Sequence, residues 1–291
     1  MGLIPLLAVA VVRAETLKKL PAFRRRMRWY VEHRPDVIGK EHVPLVSGTW
    51  HADRKKATTS GESQPEAAGA AAGHAGSRSA RGEGDILLSL VDPKQLKRVV
   101  SRMMDESQFL SAFGIRSVSK EHDGKEYSFE FNGFKAGLKY TPAESDSAMF
   151  GGNSNWRGPI WMPICYLLVE ALQQYDAFYG DTMEVEVPTG SARKGSLWTA
   201  ASEISQRLIG MFRVAAPGSP AAKESVHGAG YRPVFGGLGE HSKDPLLGRL
   251  VLFYEYFHGD LGAGLGASHQ TGWTGLVAKL IQQQSVGSGL L

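Results

Sequence analysis

The sequence predicts an all-α domain interrupted by a disordered polar insert, and three observations carry that expectation. Apolar residues recur at helical spacing in several separate stretches, and the connections between them are long and rich in glycine and proline. Residues 52–84 contain no Phe, Trp, Tyr, Leu, Ile or Val, too little apolar area to offset the entropy of ordering them. Helices joined by such connections imply loops converging on one face, where functional groups concentrate.

The chain opens with an apolar stretch, Gly2 to Val12, that has no charged segment before it and is too short to cross a bilayer. Position 6 is Leu, so Gly2 does not head an acylation signal. A cytoplasmic location and no membrane partner are the resulting expectations. TLKKLPAFRRRMRWYVEHRPD then reads as a helix carrying Phe23, Met27, Trp29, Tyr30 and Val31 and ending near Pro35. After the insert, Asp92 is an N-cap with Pro93 at the first helical position, followed by Leu96, Val99, Val100 and Met103 at helical spacing. Tyr127 to Tyr140 is glycine-punctuated and partly alternating, which predicts one or two strands or an extended loop. Helices are expected over Pro163 to Tyr179 and Ser196 to Phe212, with further candidates at Pro245 to Phe257 and Gly272 to Gln284.

Composition narrows the function classes. Hydrophobic residues make up 42% of the 291 and charged residues 21%, enough to bury a core and unlike a collagen or a polytopic membrane protein. The net charge of +4 is concentrated in Lys18, Lys19, Arg24, Arg25, Arg26 and Arg28. No base-stacking or groove-reading motif accompanies this run, so it reads as a solvated helix face and no nucleic-acid partner is expected. The single cysteine, Cys165, excludes an intrachain disulfide and a zinc site built from several thiolates.

Two segments concentrate chemistry. GGNSNWRGPIWMP, Gly151 to Pro163, packs Trp156, Arg157 and Trp161 among amides and glycines. Indole faces beside amide and guanidinium donors suit the C–H faces and hydroxyls of a sugar, while closure of a helix-packing core is the structural alternative. In FYEYFHGDLGAGLGASHQTGWTGLVA, Glu255 lies among Phe253, Tyr254, Tyr256 and Phe257. Desolvation there raises a carboxyl pKa, which makes Glu255 the best general-base candidate. His258, Asp260, His269 and Gln270 add polar groups on the same loop, at spacings that match no specific metal-ligand pattern. Glu144 and Asp146 precede the tryptophan segment as substrate contacts or loop caps. Inverting glycoside hydrolysis needs two carboxyl groups about 6.5–9.5 Å apart, a separation that spacing along a chain cannot establish.

FGIRSVSKEH, ESDSAMFGGNSNWRGPIWMP, PTGSARKGSLW, YRPVFGG and LFYEYFHGDLGAGLGASHQTGWTGLVA together resemble the C-terminal part of the catalytic domain of glycoside hydrolase family 63 and its bacterial relatives, α-glucosidase-like and mannosylglycerate-hydrolase-like enzymes. The resemblance implies a partial (α/α)6 barrel and hydrolysis of α-linked glycosides with inversion. Residues 1–51 would supply barrel helices, 52–84 the insert and 85–291 the C-terminal part of the barrel. Glu255 would be the general base; Trp156, Arg157 and Trp161 would line or support the sugar pocket, and His258, Asp260, His269 and Gln270 would shape its rim or support the base. An oligosaccharide or small glycoside is the implied substrate, with no cofactor and no metal. The family's general acid is an aspartate earlier in the barrel that no residue here matches, so the resemblance implies an incomplete catalytic set and association through exposed barrel faces. A noncatalytic carbohydrate-binding or interaction fragment is the alternative.

Overall fold

The computed structural model describes residues 2–34, 46–47, 84–146, 155–237 and 243–287. The polar insert, apart from Gly84, lies outside these described residues, as do Gly151 to Ser154 of the tryptophan segment.

A 3-10 turn at Ile4–Leu7 leads into strand β1 (Val9–Val12), helix α1 (Ala14–Lys19) and helix α2 (Pro21–His33). Strand β2 (Val46–Ser47) and strand β3 (Ile86–Ser89) complete an antiparallel sheet ordered β1–β3–β2, with Val9 opposite Ser89 and Val12 opposite Ile86. The residues on either side of the insert therefore share one ladder. Asp85 strengthens this join, accepting from Arg13 Nη1 at 2.7 Å and from the Ala14 amide at 2.8 Å, which caps α1 where Arg13 supplies no side-chain cap.

Helix α3 (Pro93–Met103) starts where the sequence places it. The Asp92 carboxylate accepts from the Gln95 amide at 2.6 Å and the Gln95 side chain accepts from the Asp92 amide at 3.0 Å, a reciprocal cap. Strands β4 (Leu110–Ser111) and β5 (Gly114–Ile115) form a tight ribbon, and β6 (Tyr127–Phe131) and β7 (Phe134–Leu138) form a longer hairpin. Helix α4 (Met162–Tyr179) is followed by a ribbon of β8 (Glu184–Glu186) and β9 (Lys194–Ser196), then by α5 (Leu197–Gly210) and the short α6 (Pro220–Glu224). Strands β10 (Tyr256–Phe257) and β11 (Gly264–Leu265) pair before α7 (Thr271–Thr274) and α8 (Leu276–Gly287) close the described chain.

The core lies where α4, α5 and α8 pack on one another. Leu168, Leu172, Tyr175, Leu197, Ile204, Leu208 and Leu280 are buried there with Val100 and Met103 of α3. Cys165 belongs to this core, its Sγ 3.5 Å from the Ile115 carbonyl, and burial pushes its thiol up to about 12.

Two expectations need correction. Among the described residues the chain is mainly helical rather than all-α: one three-stranded sheet and four two-stranded ribbons join the helices. Pro245 to Phe257 is not a helix beyond the 3-10 turn Leu247–Arg249, because its backbone is committed elsewhere. The Glu255 amide donates to Ala267, and Phe257 exchanges both backbone bonds with Ile160. A run rich in aromatic residues with such cross-chain partners is more stable extended than coiled.

Candidate functional site

The site is built where three chain segments meet. Arg116 bridges Ile160, and Ile160 bridges Phe257, so residues 116, 160 and 257 lie side by side. The Ile160 amide donates to Phe257 at 2.8 Å, the Phe257 amide returns a 3.0 Å bond, and the Ser117 amide donates to Pro159 at 3.1 Å. Close approach requires small residues: a Cβ on Gly259 would stand 2.6 Å from both the Gly158 carbonyl and the Tyr140 hydroxyl.

Trp161 anchors the aromatic part. It is buried (1% exposed) and donates through Nε1 to the Asn155 carbonyl at 2.9 Å. Trp156 stacks on it at 3.7 Å with the rings 4° from parallel, Tyr256 stacks at 4.8 Å, and Trp273 meets it edge-on at 5.6 Å. Trp156 remains 44% exposed, so a fixed indole presents surface to solvent. Asn155 holds the neighbouring loop, its Nδ2 donating to the carbonyls of Thr141 (2.6 Å) and Ala143 (2.7 Å). That loop carries Glu144.

Glu255 is half-buried between buried Tyr254 and Tyr256, and its Oε2 accepts from the Ala267 amide at 3.1 Å. Gly266, beside that contact, has a φ of +70°, and a Cβ there would lie 2.7 Å from Oε2. The glycine-rich loop thus lets backbone close over the carboxylate. Glu144 is exposed and forms no ion pair among the described residues. Burial pushes the Tyr256 phenol up to about 12, and the negative charges of Glu144 and Glu255 add to the shift. The phenol therefore stays protonated and able to donate.

The other acidic groups are held by cations. Asp146 accepts from Arg157 Nη2 at 2.8 Å and pairs with Lys139; Lys139 first, then Arg157, hold its carboxyl below the usual range against a desolvation cost. Arg157 is itself buried and also reaches Ser145 Oγ at 3.0 Å. Asp260 Oδ1 accepts from Arg116 Nε (3.1 Å) and Nη2 (2.8 Å) and from Lys120 Nζ (3.2 Å). Burial opposes ionisation of Asp260, but Arg116 and Lys120 outweigh it and keep the carboxyl below its ordinary value.

His258 Nδ1 accepts from the amides of Asp260 (3.1 Å) and Leu261 (3.2 Å), closing the turn after β10. Burial is the chief cause of its lowered pKa, with Asp260 opposing and Lys120 assisting. A neutral ring suits that geometry, since a proton on Nδ1 would remove both acceptor bonds. His269 is exposed against the Phe253 ring at 5.9 Å, and Gln270 caps α7 with its carbonyl, accepting from Trp273 and Thr274. Among the described residues no group of three or more His, Cys, Asp or Glu side chains is placed to hold a metal ion.

The chemistry-bearing segments of the sequence thus come together in space, and residues 85–189, which contain the tryptophan segment, give the decisive comparison. They match the glycosyl hydrolase family 63 C-terminal domain. This family 63 stretch carries Glu144, Asp146, Trp156, Arg157 and Trp161, whereas Glu255 and the loop to Gln270 lie beyond it. The uncharacterized protein YMR196W of Saccharomyces cerevisiae is 39% identical over 290 residues, an alignment covering 98% of this chain and 22% of the yeast protein. This chain spans less than a quarter of that relative's length.

Arg116, Lys120, Tyr256 and Trp273 join the site without having been singled out as site residues from sequence. Arg116 had one signal: a lone charge closing the mostly apolar run Phe109 to Ile115.

Proposed function

We propose that this chain carries the sugar platform and the general base of an inverting family 63 glycoside hydrolase acting on α-linked sugars of the α-glucosidase or mannosylglycerate-hydrolase kind. One observation carries the reading: an exposed indole stacked at 3.7 Å on buried Trp161, on which Tyr256, next to Glu255 in the chain, also stacks. Indole surface receives the apolar face of a pyranose, while carboxylates bond its hydroxyls. In this reading the helices belong to an (α/α)6 barrel, 1–51 and 85–291 both contributing to it. Glu255 takes a proton from the water that attacks the anomeric carbon, and Glu144 binds a sugar hydroxyl. The leaving oxygen is protonated by the family's aspartate, for which this chain offers no matching residue.

The second reading is a sugar-binding module without turnover. It is favoured by the ion pairs of Asp146 and Asp260, whose lowered pKa values make both poor proton donors. Titrating tryptophan fluorescence with α-linked glucosides and mannosides, while assaying released sugar, separates the two. Glu255→Gln is expected to keep most of the sugar-dependent fluorescence change and to lower turnover by about 10²–10⁴-fold. Turnover near that of the parent protein rejects Glu255 as the base; binding with no turnover in either protein selects the second reading.

A further inference from the structure

We infer that Arg116 is a positioning residue for this site, setting Glu255 in register with the Trp156–Trp161 platform through Asp260 and Ile160. The inference rests on the glycosidase reading and extends it to a side chain placed to touch protein groups rather than sugar.

The guanidinium is buried, with Arg116 only 6% exposed, so its donors have to be met inside the protein. Nε and Nη2 both reach Asp260 Oδ1, at 3.1 and 2.8 Å. Nη1 spreads over the carbonyls of Leu110 (2.7 Å), Glu106 (3.3 Å) and Gln108 (3.3 Å). One side chain thus ties the 106–110 segment to the turn after β10. Its own backbone simultaneously abuts Ile160, which in turn is bonded on both sides to Phe257.

Ile160 precedes Trp161 directly, and Phe257 and Asp260 follow Glu255 within five residues. Arg116 therefore grips the base-bearing segment at Asp260 and the platform segment at Ile160, which itself holds Phe257. Lysine cannot reproduce the grip, because a single ammonium lacks the fork that spans a carboxylate and three carbonyls. Displacing a catalytic group by about 1 Å can cost about 10²-fold in rate, so the expected penalty falls on turnover rather than on sugar affinity.

The test compares the 291-residue chain with Arg116→Lys, Arg116→Ala and Asp260→Asn, measuring kcat and KM on α-linked glycosides together with near-UV and far-UV circular dichroism. Arg116→Lys is expected to lower kcat about 10²-fold with KM within about threefold, and to weaken the near-UV signal of the stacked tryptophans while the far-UV spectrum holds. Asp260→Asn should move both readouts the same way by less, and added guanidinium, not ammonium, should restore part of the Arg116→Ala loss. A folded Arg116→Lys with unchanged kcat and near-UV spectrum overturns the proposal, as does a change confined to KM. Should the arginine variants not fold, an Asp260→Asn protein with unaltered kcat and near-UV signal overturns it equally. Where the parent chain shows no turnover, as the lack of a matching acid allows, the near-UV comparison alone decides the positioning claim, and an unchanged near-UV spectrum in folded Arg116→Lys overturns it.

Discussion

Trp156, Trp161, Tyr256 and Trp273 form a cluster tied into the core, whereas Tyr127, Phe129, Phe131 and Phe134 stand exposed on a hairpin. The hairpin is well built: Asn132 and Gly133 both have positive φ, as a two-residue turn of this hand requires, and Phe131 faces Phe134 across it. Its aromatic face has the charged pair Glu130–Lys135 on the opposite side, and no carboxylate or amide is bonded among the rings. In the other cluster an indole bonds a carbonyl, a carboxylate accepts from a backbone amide, and an asparagine fixes the adjoining loop. Aromatic density is therefore common to both; polar groups held at fixed positions beside the rings distinguish the cluster proposed as the sugar site.

The largest expected effect breaks the comparison by stability. Trp161→Ala should cost about 3–5 kcal/mol, since it empties a buried site, while Phe131→Ser on the hairpin should stay within about 0.5 kcal/mol. Urea unfolding monitored at two wavelengths measures both, and equal losses would mean the hairpin is as much a part of the core as the tryptophan. A smaller effect sharpens it by ligand: Trp156→Ala should reduce sugar affinity about tenfold, consistent with loss of about 1.4 kcal/mol of stacking, with little change in unfolding midpoint. Titration with α-linked disaccharides checks this, and undiminished affinity removes Trp156 from the platform.

The smallest expected effect concerns pH. His258 has a lowered pKa in the fold, so the folded state binds fewer protons than the unfolded chain in the window below the ordinary value of about 6.5. Stability is then complete above that value and declines as pH falls toward the folded pKa. Asp260, also lowered, adds a second loss below about 3.9. Melting curves from pH 7.5 downward should show the first decline, and His258→Asn, which keeps an acceptor for the turn amides but does not titrate, should flatten it. A parent profile that is level through this window contradicts the assignment.

Much of the helical frame was legible because its signals are local. Asp92, Pro93 and Gln95 announce the start of α3 within four residues, and the apolar stripe of α4 repeats at the period of the helix it forms. The strands over Tyr127–Tyr140 were expected from their alternation, but the others escaped because several are two residues long and owe their existence to distant partners. Phe257 is extended because of Ile160, nearly a hundred positions earlier, and nothing in LVLFYEYF declares that pairing. The site divides the same way. Trp156 and Trp161 stood out by composition and stack on each other, and Tyr256, next to Glu255 in the chain, stacks on Trp161. That Asp146 and Asp260 are locked to cations depends on Lys139, Arg157, Arg116 and Lys120, side chains brought in by folding.

The position of Cys165 gives the molecule a built-in chemical stopwatch. Its thiol is sealed beneath the Ile115 carbonyl, one residue before Arg116, and at a pKa of about 12 almost none of it is thiolate at neutral pH. An alkylating reagent can reach it only when the seam between α4 and the 114–117 segment parts. As the sequence holds one cysteine, mass added at that atom counts openings of the very joint that aligns the three segments, with no engineered label.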